Sequence, residues 1–170
     1  MPVQVTFSEE QQTVQKAIDF TNNLLNDDEF YHRIKEKNSF DLSTATPEQV
    51  ADLLRASVLI FNVEFFYPNF LNFKYRKTFA YTDGNYPNRL FLNYKKLNRS
   101  SESITATIIH ESIHAVDNNE TQYTFGHGNN SPIGKENTAP YWIGNLAYSI
   151  LTGNQHFALL QFDQEEPDIA

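Results

Sequence analysis

The sequence predicts an α+β fold: a helix-rich single domain over residues 1–170, with a small twisted sheet packed on a central buried helix. Three observations predict it. Helical apolar spacing with recognisable start signals recurs in the first sixty residues and again at 101–117. Between them, residues 75–97 change to β-like segments split by a turn signal. The 170 residues, 40% hydrophobic and 14% aromatic, suit one core, and no repeat or low-complexity linker divides them.

Taken in order, Ser8, Glu10 and Gln11 start a helix that runs to about Leu25, with Val14, Ala17, Ile18 and Leu25 at apolar positions. Asp27 to Lys37 reads as a short second helix. Thr46-Pro47-Glu48-Gln49 combines an N-cap Thr, Pro in the first turn and Gln at the capping-box position. Val50, Leu53, Leu54, Val58 and Phe61 continue that third helix. Phe65 to Leu71 is aromatic and broken by Pro68. Tyr75–Tyr81 and Asn88–Leu97 then read as strands on either side of the turn Thr82-Asp83-Gly84-Asn85. In the second, Leu90, Leu92 and Tyr94 alternate with Phe91, Asn93 and Lys95, which suits an edge strand with one wet side.

Ser101 to Asp117 carries the strongest helical signal. Ile104, Ile108, Ile109, Ile113 and Val116 make it apolar around much of its circumference, so it should be largely buried. Asn118-Asn119 can end it, and a loop rich in Gly and Asn follows from Glu120 to Gly134. A closing helix starts near Pro140, runs to Leu151 and stops at Gly153. The tail from Gln164 is acidic and expected to fray.

Composition excludes several functions. The net charge is −8, and the basic residues are scattered apart from Lys74, Arg76 and Lys77, a poor match for nucleic acid. The mean hydropathy is −0.52, and no stretch approaches the ~20 apolar residues of a membrane span. Met1 to Glu10 has neither a basic n-region nor an apolar h-region, so the expected location is cytoplasmic, or outside the cell by a route without a cleaved signal. Cys is absent, so a metal site must use His and carboxylate ligands.

One segment carries chemistry. His110 and His114 stand four apart on the strongest helix, so both imidazoles lie on one face, a turn apart, where they can share a metal ion. Glu111 follows the first His and projects beside that metal, placed to take a proton from a metal-activated water and return it to a leaving amine. Two neutral core histidines would not need that carboxylate.

The segment His110-Glu111-Ser112-Ile113-His114, with Ala115-Val116-Asp117 after it, resembles the active-site helix of the zincin metallopeptidases. Similar continuations occur in thermolysin-like enzymes and in lethal-factor-type toxins. The resemblance covers about one tenth of the chain. It implies Zn2+ as cofactor, a peptide or protein substrate, and an edge strand that binds extended substrate, here Asn88–Leu97. It also implies a third protein ligand. The metzincin pattern places Gly where this chain has Asp117 and His where it has Glu120, so the chain reads as gluzincin-like or divergent. Three residues compete for the third ligand. His127, with Gly126 and Gly128 on either side, has a backbone free to turn toward the metal. Glu136 is followed three positions on by the small Ala139, as in gluzincins, but Pro140 places it before the closing helix. Glu120 needs a tight turn at Asn119. His110, His114 and His127 are the preferred metal set, with Glu111 as general base and acid.

Asp117 lies on the same face as both helical histidines, where a carboxylate can accept the free ring N–H of a ligand. Tyr123 and Tyr141 are candidates to stabilise a substrate oxyanion, although a packing role suits each better. His32 and His156 read as structural or surface residues. Beyond a peptidase, the same site suits an amidase acting on another amide, such as a peptidoglycan cross-link, or a zincin-like module that holds metal without catalysis.

Overall fold

The computed structural model of the chain describes residues 3–68, 78–128 and 133–154. Within them lie five α-helices and four strands, arranged as one α+β domain. In chain order these are β1 (Gln4–Phe7), α1 (Gln12–Leu25), α2 (Asp28–Lys35), α3 (Pro47–Ala56), β2 (Ile60–Phe66), β3 (Ala80–Thr82) and β4 (Arg89–Asn93). A short 3-10 turn (Tyr94–Lys96), α4 (Ser101–Asn119) and α5 (Ala139–Thr152) complete the order.

The helix ends follow local chemistry. Gln11 caps α1 by accepting from the Val14 amide, so the helix starts later than Ser8. Asp27 caps α2. Thr46 and Gln49 form the reciprocal capping box of α3, with Pro47 in its first turn. Pro140 opens α5, and Gly153 closes it in the left-handed conformation, φ 69°. The third helix stops at Ala56, short of the expected continuation: Val58 is exposed and Phe61 belongs to β2.

The four strands form one mixed sheet in the order β1-β2-β4-β3. β1 runs parallel to β2, β2 parallel to β4, and β3 antiparallel to β4 across the Asp83-Gly84-Asn85 turn. Pairing Val5 with Phe61, Val63 with Leu90, and Leu92 with Ala80 places these buried side chains on one face, toward the helices. The expectation of an edge strand at Asn88–Leu97 is corrected here. β4 is shorter and interior, paired on both sides, and the 3-10 turn takes up residues 94–96. On its outer side Phe91 is half-buried against Tyr81 and Tyr86, and Asn93 is fully buried with its amide donating to the Thr78 carbonyl, so the alternation marks neither a free edge nor a wet face. Among the described residues β3 ends the sheet on that side, and it packs against α4. Residues 69–77, His156 and the tail from Gln164 lie outside the described residues.

Helix α4 is buried on nearly every side, by α1 and α5 along its length and by β3 at the sheet. It starts at Ser100, whose hydroxyl accepts from the Ser103 amide. Ile104, Ile108, Ile109 and Ile113 are fully buried. At about 1.5–3 kcal/mol for each such side chain, their burial holds the helix firmly in place. No helix of the described residues is long and apolar enough to cross a membrane.

Candidate metal centre

Regular helical geometry in α4 places His110, His114 and Asp117 on one face, with Glu111 beside the first. The third histidine arrives by a long-range route. After α4 ends at Asn119, the chain turns back, buries Phe125 completely, and presents His127 to the helix. Gly128, next along, sits at φ 78°, a left-handed conformation that costs glycine nothing.

The three imidazoles converge. One coordinating atom from each of His110, His114 and His127 lies within 4.8 Å of the other two. His127 Nε2 and His110 Nε2 are 3.3 Å apart. Two nitrogens bound to one tetrahedral zinc at about 2.05 Å would stand about 3.3 Å apart, so this pair has the spacing such an ion requires. His110 and His127 are only 8% and 7% exposed, and His114 is half-buried. Three nitrogens is the number of protein ligands a catalytic zinc site uses, where structural sites use four.

Burial keeps the two helical rings neutral, the form that binds metal. Burial pushes His110 well below its ordinary value; His114 and His127 add to this, and a hydrogen bond with the Pro140 carbonyl opposes it. Burial, followed by the neighbouring His127, pushes His114 down to about 3. Tyr141, 4% exposed, forms a wall of the cluster, its ring centroid 4.5 Å from that of His110 and 5.0 Å from that of His127.

The other candidates are distributed as follows. Glu111 is half-buried and lies outside the three-nitrogen cluster. Neither carboxylate alternative reaches it. Glu120 is occupied at the end of α4, where Oε1 accepts from the Thr121 and Gln122 amides at 2.8 and 2.7 Å. Glu136 stands just before α5, outside the group of ligand atoms. Asp117 takes the Phe125 amide on Oδ1 at 2.6 Å. The Tyr123 hydroxyl accepts from Gln49 Nε2 at 2.8 Å, which ties it to α3. His32 pairs with Glu36 on the surface, away from the site.

Sequence reasoning missed the strap that holds the His127 loop from outside. Thr44 binds Thr124 through its amide at 2.8 Å and its hydroxyl at 2.9 Å. Asp41 holds Asn137 near the start of α5, through its amide at 3.0 Å and its carboxylate at 2.8 Å. These partners lie eighty or more residues apart, and no local pattern marks them. Leu42, within the strap, is the one described non-glycine residue with positive φ, at 56°.

No family model matches the chain, and no curated protein or solved structure matches it.

Proposed function

We propose that this protein is a zinc-dependent hydrolase that cleaves a peptide bond, with His110, His114 and His127 as metal ligands and Glu111 as general base and acid. The observation that carries the reading is the convergence of three imidazoles, two on one helix and one from the loop that follows it, with both helical rings held neutral by burial. A bound zinc ion supplies Lewis acidity to the reacting carbonyl and to water. The chain's own residues do the rest. The histidines hold the ion between a buried helix and the loop that follows it. The Glu111 carboxylate takes a proton from the attacking water and delivers it to the leaving nitrogen. Tyr141 closes one wall and limits water. The resemblance to zincins implies an edge strand for extended substrate; among the described residues β3 (Ala80–Thr82), packed on α4, ends the sheet on that side and is the strand that could serve.

The test is metal analysis combined with Glu111→Gln. The reading expects one zinc per chain in both proteins. It also expects hydrolysis of a mixed peptide library by the wild type, reduced about 10²–10⁴-fold in the variant. Zinc without hydrolysis of peptides or cell-wall cross-links by the wild type would replace the enzyme with a binding module.

A further inference from the structure

We infer that Asp117 is a positioning residue: it clasps the His127 loop onto the same helix that carries the other two ligands, and Gly126 is glycine to let it do so. The inference rests on the metal reading above but adds a residue that is neither ligand nor base.

The loop is held at three points just before His127. Two of them, Tyr123 to Gln49 and Thr124 to Thr44, tie it to α3 and the strap ahead of α3. The third ties it to α4, where Asp117 Oδ1 accepts the Phe125 amide at 2.6 Å. This bond joins the two ligand-bearing segments outside the imidazole cluster itself. Its acceptor is charged and its length short, the features of a strong hydrogen bond. The donor sits two residues before His127, so a shift there carries straight to the imidazole.

The other carboxylate oxygen explains Gly126. A Cβ at position 126 would stand 2.7 Å from Asp117 Oδ2 and 3.6 Å from His114 Nδ1. The first contact is too close and the second is ordinary. Gly126 does not have positive φ, so its backbone is open to any residue. What requires glycine there is the carboxylate, not the backbone. Helix spacing places Asp117 where it could accept a ligand ring N–H; in the structure its Oδ1 takes the Phe125 amide and braces the loop.

The experiment measures zinc affinity by chelator competition and records the visible spectrum of the cobalt-substituted protein, whose intensity reports coordination number. Asp117→Ala should weaken zinc about 10–100-fold and dim the cobalt bands. Asp117→Asn keeps an acceptor for the Phe125 amide and should recover most of the affinity and the spectrum. Gly126→Ala should weaken zinc in the wild-type background and cost nothing further beside Asp117→Ala, because both act through one carboxylate. Thr44→Val, which loosens the same loop from the strap, should leave the cobalt spectrum unchanged. Wild-type affinity and spectrum in Asp117→Ala would overturn the inference. So would an undiminished Gly126→Ala effect beside Asp117→Ala, or a Thr44→Val loss as large as that of Asp117→Ala. If the wild type binds neither ion, the metal reading fails by itself. Amide exchange in metal-free protein then decides: faster exchange at Phe125 in Asp117→Ala, with α4 still protected, supports the clasp, and unchanged exchange refutes it.

Discussion

Adding zinc to the metal-free protein should raise its thermal stability, and His127→Ala should abolish most of that gain. The ion binds the folded site and has little hold on the unfolded chain, where His127 is separated from the helical pair. At free zinc 100 times the dissociation constant, the stabilisation is about 2.7 kcal/mol. For a chain of this size, each kcal/mol moves the midpoint by about 2–4 °C, giving a shift of about 5–10 °C. Tight zinc sites are worth roughly 10–16 kcal/mol over four ligands, so each ligand supplies about 3–4 kcal/mol. Losing His127, whose Nε2 lies 3.3 Å from that of His110, therefore weakens binding at least about 100-fold. At the same zinc concentration the variant gains only about 0.4 kcal/mol, or about 1 °C. Differential scanning calorimetry with and without zinc, each with a chelator control, measures both shifts. Comparing increments removes the ring packing lost in the variant itself. An equal zinc-dependent shift in wild type and His127→Ala would refute the assignment of His127, and no shift in the wild type would refute the site.

Other outcomes follow from the same structure. In metal-free protein His114 is held at about 3 and His110 well below its ordinary value, against about 6.5 in the unfolded chain. Below pH 6.5 the unfolded chain binds more protons, so stability is full above that pH and falls as the pH drops toward 3. The loss reaches at most about 2–3 kcal/mol per pH unit for both groups, less where solvent screens His114, and a urea midpoint unchanged between pH 7 and 5 would contradict it. Thr46→Ala removes the hydroxyl half of the α3 capping box and should cost about 1 kcal/mol in chemical denaturation, leaving zinc content unchanged. Leu42→Asn relieves a leucine that is 61% exposed in left-handed backbone and should stabilise by roughly 0.5–1 kcal/mol; a lower melting point would mean that the side chain makes a contact worth more than the strain.

Legibility followed the range of the interactions. The Thr46 capping box, the Gly153 stop and the buried α4 were readable because caps and apolar spacing act within one or two turns. The parallel strands were not read, although Val3, Val5 and Phe7, and again Phe61, Val63 and Phe65, alternate in period two. Both runs are short, and each becomes a strand only by pairing with the other across more than fifty residues. The same distance misled the reading of β4, whose edge or interior status depends on where β3 folds back. Tyr141 was one candidate among two; its contact with the imidazoles follows from α5 packing on α4.

By itself the sequence determined that His110, Glu111 and His114 share one side of a helix, because four residues make one helical turn whatever surrounds it. It also confined any metal site to His and carboxylate ligands, since the chain has no Cys. Only the tertiary structure decided the third corner of the cluster. In sequence His127 was preferred only narrowly over Glu136, with Glu120 behind both. The choice fell to His127 because buried Phe125 and the Asp117 carboxylate draw its loop back onto α4, while Glu120 is consumed at the helix end and Glu136 lies outside the cluster. Spacing along a helix is local, whereas closing a loop depends on what the distant residues bury and bond.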